Sequence, residues 1–466
     1  MKKFTIISLA ALFTATFQSC DEILEIDPPT DSLTSVEVYN NTANIKTALT
    51  GLYSYNIHMN PFIYQYADFY LPFLADELKT DYASYKVYFQ NSYVPTTSFV
   101  GSLWQYLYES IYKSNDFIAN LENNGIISEN SKAEYLAVAR WFRAYNYLFL
   151  TNLYGDVPLV KSNDISESRN AARSSVTEIN KLIEDDLVFA VQALANSDDT
   201  KQAVRTRLTS VAAQALLSRY YLYTEQWQNA ANEATKIISN ASYSLESDVN
   251  KVFYSSSKEI IFGYDMDGFA GLGTYQGYTR PGVLFIPTTS SRVPYYLTDE
   301  LVADLTSNES DARNGWIGYL TISGKNVYYP YKYKNYKNSS GANYELQVQF
   351  RLAEQYLIRA EARAQLNDIQ GALSDINTIR SRAGIEEVTA STKDDVLLLI
   401  EKERRLELFI EGQAHRWFDL KRTGRADAVY GALGYKKWEH YKALLPIPEQ
   451  QIGRNHALTQ NEGYIR

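Results

Sequence analysis

The sequence predicts a mainly α protein: a tetratricopeptide-like helical repeat scaffold with long irregular loops and a few short strands. Three observations carry that prediction. Apolar residues recur at helical spacing through most of the 466-residue chain. Two segments, 208–240 and 350–383, read as helix–turn–helix units. In each, a helix with small residues ends in a short polar turn, and a second helix repeats a large and a small residue, Trp227/Ala230/Ala234 and Ile369/Ala372/Ile376. Between the units lies 241–349, rich in Gly, Tyr, Ser and Asn and poor in helical periodicity.

In chain order, residues 1–19 have the form of an export signal: Lys2 and Lys3, then a mostly apolar stretch from Phe4 to Phe17. The stretch is too short for a lasting membrane span. The only Cys, Cys20, stands where it ends, the position of the lipid-modified Cys in a bacterial lipoprotein signal, although Phe17 and Gln18 depart from the commonest form of that signal. Removing 1–19 takes away two lysines and no acids, so the formal charge goes from −9 to −11. Residues 20–35 are acidic and broken by Pro28 and Pro29, and read as a tether.

Residues 36–240 form the predicted N-terminal helical region. Trp104, Leu107, Tyr108, Ile111 and Tyr112 share a helix face, as do Ile179, Leu182, Ile183, Leu187, Ala190, Val191 and Leu194. Residues 134–153 are apolar on most sides and should be a central buried helix, stopped by Gly155 and Pro158. Two units are too few for a free-standing array, so 101–124, 134–153 and 177–195 are expected to complete the stack. Region 241–349 is the predicted ligand-binding insertion: Tyr243 to Tyr264 alternates like short strands, 265–295 reads as long loops, and 327–334 as a strand. Residues 350–466 form the C-terminal region. A second Tyr-rich irregular stretch runs over 53–93. Loops of this length are usually functional.

Composition narrows the chemistry. The apolar fraction of 45% and charged fraction of 21% are those of a folded chain, and no apolar run is long enough for a polytopic membrane protein. The negative charge opposes phosphate-backbone binding, which argues against nucleic acid. One Cys permits no intrachain disulfide, and His58, His415, His440 and His456 are scattered. Zinc-protease, P-loop and nucleophile-elbow motifs are absent. Gly271, Gly273 and Gly277 miss dinucleotide-loop spacing, and Asp265-Met-Asp267-Gly268 lacks the remaining ligands of a calcium loop, so no cofactor or metal is expected. The carboxylates of 401–411 alternate with Arg at helical spacing and read as ion-paired scaffolding. The odd quantity is Tyr, at 39. Most should pack helices; clustered in loops, flat rings offer apolar area to the C–H face of a sugar at low entropic cost.

Several segments carry a family resemblance: Arg140-Trp-Phe-Arg-Ala-Tyr-Asn-Tyr147 leading to Leu153-Tyr-Gly-Asp-Val-Pro-Leu159; Phe350 to Ala362 with Ile376 to Gly384; Glu403-Arg-Arg-Leu-Glu-Leu408 with Glu411-Gly412 and Arg416 to Arg422; and Leu444-Leu-Pro-Ile-Pro-Glu449 with Gln460 to Tyr464. Through them nearly the whole chain resembles the SusD/RagB family, nutrient-binding lipoproteins of Bacteroidetes outer membranes. The resemblance implies a helical fold with four tetratricopeptide units and a non-enzymatic, surface-exposed, lipid-anchored protein. It would capture oligosaccharides, or in some members peptides, and pass them to a SusC-like TonB-dependent transporter that its repeat face contacts. The resemblance also points to Glu77-Leu-Lys-Thr-Asp81 and the following Tyr82, Tyr85 and Tyr88 as one part of a binding site, with Asp81 among its members. Tyr275, Tyr278 and Arg292 of the 265–295 loops form the other part. Tryptophans expected in a starch-binding arc are missing from both. A surface glycoside hydrolase using carboxylates among Asp68, Asp76, Glu77 and Asp81 is the enzymatic alternative, and a pure protein adaptor is the third.

Overall fold

The computed structural model describes residues 35–60, 62–195, 205–266, 279–336 and 344–464. The signal, most of the tether and Cys20 lie outside the described residues. Ten α-helices of eight or more residues are described: α1 Thr42–Ser54, α2 Ser98–Glu122, α3 Glu129–Tyr154, α4 Val176–Ala193, α5 Ser210–Tyr223, α6 Trp227–Ile238, α7 Leu352–Gln365, α8 Ile369–Arg382, α9 Lys393–Leu408 and α10 His415–Arg422. Among the described residues the strands are short and form four separate antiparallel pairs: β1 Leu78–Lys79 with β5 Tyr296–Leu297, β2 Val157–Pro158 with β3 Arg173–Ser174, β4 Ile260–Tyr264 with β8 Gln347–Arg351, and β6 Ile317–Ile322 with β7 Lys325–Pro330.

Local chemistry sets the helix limits. The Ser128 side chain accepts from Ser131 N at the start of α3, and Ser175 with Glu178 forms a reciprocal capping box on α4. Helix α3 ends at Gly155, whose φ of 74° suits glycine and whose missing side chain leaves room for Leu444. Helix α3 is buried on most sides from Leu136 to Tyr154, as its apolar run predicts. On α2 the predicted apolar stripe holds through Ile111 and fails at Tyr112, which is 45% exposed. At 3.6 residues per turn, position i+8 has rotated about 80° from i and leaves the core face.

The helices stack in chain order: α2 on α3, α3 on α4, α4 on α5, α5 on α6, then α6 directly on α7, α7 on α8 and α9, and α9 on α10. Small residues permit the close approach: Ala230 and Ala234 on α6, and Ala360, Ala364 and Ala372 across α7 and α8, are fully buried. Helices α6 and α7 pack against each other although residues 239–351 separate them in sequence. The excursion is closed at its base by β4 (Ile260–Tyr264), antiparallel to β8 (Gln347–Arg351), both buried throughout. Of the alternating stretch 243–264 only β4 is a strand. Residues Lys325–Pro330 form β7, paired with β6 (Ile317–Ile322) in a hairpin.

Buried arginine–carboxylate forks cross the helix interfaces. Arg143 of α3 donates to Asp186 of α4 at 2.7 and 2.8 Å, and Arg219 of α5 to Glu354 of α7 at 2.6 and 2.8 Å. Half-buried Arg359 of α7 holds Asp375 of α8, and buried Arg404 of α9 holds Asp419 of α10. The 401–411 carboxylates are ion-paired, but not with arginines of their own helix. Glu403 pairs with Arg313 and Arg380, Glu407 with Arg313, Arg351 and Arg382, and Glu411 with Arg351 and Lys332. The long-range partners win because these carboxylates face the core, where an ion must be paired through good geometry. Arg351, at the end of β8, is the hub: it also meets Glu259, at 2.9 Å.

Replacing Arg351 by Met leaves three buried carboxylates short of a partner. Denaturant unfolding followed by circular dichroism is expected to show a loss of about 3–5 kcal/mol; a loss below about 1 kcal/mol would mean the network is not a stabilising hub.

Candidate functional site

Two loops from distant parts of the chain are joined by a minimal sheet. Strand β1 (Leu78–Lys79) pairs with β5 (Tyr296–Leu297), Leu78 opposite Leu297 and Lys79 opposite Tyr296. Two residues per strand would not hold alone. Side chains complete the zipper: Thr298 donates from its backbone N to Glu77 O and from its hydroxyl to Asp76 O, and the Thr80 hydroxyl donates to Pro294 O at 2.9 Å. The Tyr296 hydroxyl donates to Asp81 Oδ1 at 2.7 Å. Leu78 and Leu297 are buried beneath.

The root of this unit is tied to the C-terminal helices. Asp76 is buried and accepts from Arg416 of α10 at 2.8 Å and pairs with Arg405 of α9 at 2.8 Å. These two guanidiniums overcome burial and hold the Asp76 carboxyl well below the usual range. Glu77 beside it goes the other way. Burial first, then the Asp76 charge, pushes it from 4.5 to about 8.

Above the zipper the rings converge. Tyr82 and Tyr295 have centroids 5.9 Å apart, Tyr85 and Tyr295 5.8 Å, and Tyr82 and Tyr85 6.2 Å. The Arg292 guanidinium lies over the Tyr82 ring at 4.1 Å. All three rings are part-exposed, and Arg292 and Asp81 are exposed. Phe69 and Phe73 form a second layer: Phe69 meets Tyr295 edge-on at 4.7 Å, and Phe73 stacks parallel to Tyr85. The result is an aromatic platform with a cation over the Tyr82 ring and a carboxylate at the neighbouring Asp81, its rings held by packing.

The structure therefore brings together Asp81, Tyr82, Tyr85 and Arg292. Tyr88 is placed differently: it is buried between Tyr70 and Phe99, part of the packing behind the platform. Tyr275 and Tyr278 lie outside the described residues. Sequence reasoning missed Tyr295 and Tyr296. Their signal was a Tyr pair just past Pro294, at the opening of a strand whose partner is more than two hundred residues away in sequence. Of the carboxylates set out for hydrolysis, Asp68, Asp76 and Glu77 are buried and only Asp81 reaches the surface. Among the described residues no group of three His, Cys, Asp or Glu side chains is placed to hold a metal ion, and no helix is long and apolar enough to cross a membrane.

Fold and site define a stacked-helix scaffold on which two loops distant in sequence form an aromatic platform. Comparison with known proteins identifies the family. The model of the SusD family matches residues 218–464, and a second, described as starch-binding and associating with the outer membrane, matches 23–222. A SusD-like protein of Formosa agariphila is 27% identical over 96% of this chain and 97% of its own length, and the starch-binding protein SusD of Bacteroides thetaiotaomicron is 25% identical over 70% and 72%. Among solved structures, a SusD superfamily protein of Bacteroides vulgatus superposes with a TM-score of 0.77 at 23% identity, covering 92% of this chain and all of that one. A laminarin-binding SusD-like protein does so with a TM-score of 0.73 at 23% identity, covering 91% and 100%. The chain belongs to the SusD family.

Glu77 gives a pH signature for the root of the site. Its folded value lies above its unfolded one, so between about pH 4.5 and pH 8 the folded state holds the extra proton, and stability falls as pH rises through that window. Glu77→Gln removes this term. The variant is expected to gain on the native chain by more than about 1.4 kcal/mol between pH 5 and pH 9 in urea unfolding; a constant difference across that range would refute the assignment.

Proposed function

We propose that the chain is a non-enzymatic, glycan-binding lipoprotein of the outer membrane that captures oligosaccharides on the Tyr82–Tyr85–Tyr295 platform and passes them to a SusC-like TonB-dependent transporter. The single observation that carries this reading is the platform itself: three part-exposed rings at two angles, fixed from behind, flanked by Asp81 and Arg292. Flat rings take the apolar face of a pyranose, and the two charged groups bond its hydroxyls. The family supports a glycan as ligand, since one matching model is described as starch-binding and a similar structure as laminarin-binding. The platform lacks Trp, which favours a strand other than starch. A peptide remains the second ligand class, favoured by the exposed charges of Arg292 and Asp81 beside the rings.

The buried state of Asp68, Asp76 and Glu77 supports a role without catalysis, because glycoside hydrolysis needs two carboxylates facing one cleft about 5–10 Å apart. The outer-membrane description of the family model supports the location. Cys20 is the proposed anchor and Tyr275 and Tyr278 are proposed further members of the site.

Calorimetry against a panel of neutral oligosaccharides and peptides tests the platform. Tyr82→Ala and Tyr295→Ala should each weaken binding roughly tenfold, about 1.4 kcal/mol, with the native circular-dichroism spectrum retained. A folded native chain that binds no member of the panel would refute capture. Cys20→Ala should abolish lipid labelling and remove the protein from the surface of intact cells; retention there would refute the anchor.

A further inference from the structure

A second concavity, sharing no residue with the platform, lies along α2. Its volume is about 1150 Å³, above the roughly 300–1,000 Å³ of ordinary small-molecule pockets, so it has room for a strand of several units. One wall is a ladder on a single helix face. Trp104, Tyr108 and Tyr112 stand at i, i+4 and i+8, and Gln105, Glu109 and Lys113 run beside them at the next positions. Successive rungs rise about 6 Å, of the order of one sugar unit along an extended chain. Trp104 is buried and backs Tyr108, so the ladder offers two rings, the part-exposed Tyr108 and the exposed Tyr112, beside Glu109 and Lys113.

The ladder is set rigidly. Trp104 and Tyr108 have centroids 5.0 Å apart, and Tyr108 donates to Pro158 O at 2.8 Å. Glu109 accepts from Tyr55 at 2.8 Å and from Gln105 at 2.7 Å, and Lys113 sits over the Tyr55 ring at 4.5 Å. Facing the ladder are exposed Arg169 and Arg454, neither with an acidic side chain within ion-pair distance among the described residues, and Ile165, 67% exposed. The charged lining is therefore three cations against one carboxylate already engaged by two donors, on a chain whose net charge is −9. A groove of that sign on an acidic protein selects for an anion.

We infer that this groove is a second binding site, for an extended anionic saccharide strand bearing carboxylate or sulfate groups. The Tyr108 and Tyr112 rings take the sugar faces and Arg169, Arg454 and Lys113 take the charges.

Calorimetry with the full chain uses three probes: oligogalacturonate for carboxylate, carrageenan oligosaccharide for sulfate, and laminarin oligosaccharide as the neutral strand. At least one anionic probe should bind, and more weakly when ionic strength rises from about 0.1 M to about 1 M. The double variant Arg169→Ser/Arg454→Ser, and separately Tyr112→Ala, should weaken that binding roughly tenfold while Tyr82→Ala leaves it intact. All these side chains are exposed or part-exposed, so folding is preserved, and a shared melting temperature confirms it. Failure of both anionic probes to bind overturns the site, as does anionic binding that survives the double variant and Tyr112→Ala. The platform's own reading is judged separately, by the neutral probe and Tyr82→Ala.

Discussion

Everything in the core depends on the rule that a buried ion must have a partner. Arginines are buried or half-buried at four helix contacts, α3–α4, α5–α7, α7–α8 and α9–α10, and each is met by a carboxylate from a different element. The forks contribute geometry more than net stability, because an apolar pair of similar volume could pack as well. A planar guanidinium accepts its carboxylate in few orientations, so each fork fixes the slide and rotation of one helix against the next. A stack built mainly on Ala and Leu contacts would tolerate several registers.

The same rule reaches the surface. Helices α9 and α10 turn Arg405 and Arg416 onto Asp76, one residue before Glu77 and two before β1. The inserted loop answers from the other side through Thr298, whose backbone and hydroxyl hold the carbonyls of Glu77 and Asp76. The platform therefore stands on a charged pillar from the C-terminal region, although its rings come from 82–85 and 295. Gly412 belongs to this arrangement. Its φ is 72°, and a side chain there would run into the Asp68 carboxylate, just ahead of the Phe69 that supports Tyr295.

Helix positions were legible in the sequence because periodicity and caps are local: Gly155, Ser128 and Ser175 end or start helices through neighbours a few residues away. The direct packing of α6 on α7 across the insertion was less legible, since no local pattern records which distant helix completes an interface. Ion-pair partners were the least so. Glu407 and Arg404 share a helix and suggest each other by spacing, yet burial sends Glu407 to Arg313, Arg351 and Arg382 and Arg404 to Asp419. In the site, the Glu77–Asp81 stretch marked one loop. Tyr82 and Tyr88 could not be told apart, because ring exposure is set by Phe99 and Tyr70 packing over Tyr88, not by the composition of the stretch.

The proposed role of capture also constrains kinetics. Delivery to a transporter would require release, so binding should be no tighter than transport can tolerate. Association of a small ligand with an open, preformed surface has a rate constant on the order of 10⁶ M⁻¹s⁻¹. With an affinity of about 10 µM, near −7 kcal/mol, a strand then departs roughly ten times per second. Three part-exposed rings and two flanking charges suit that range. A fully enclosed site with the same contacts would hold the strand far longer. Tyrosine also serves release, because its hydroxyl keeps one edge of each ring hydrated and reduces the apolar area a sugar must give back to water. The openness of the platform thus suits the proposed capture and hand-over, in the same way that closure suits catalysis.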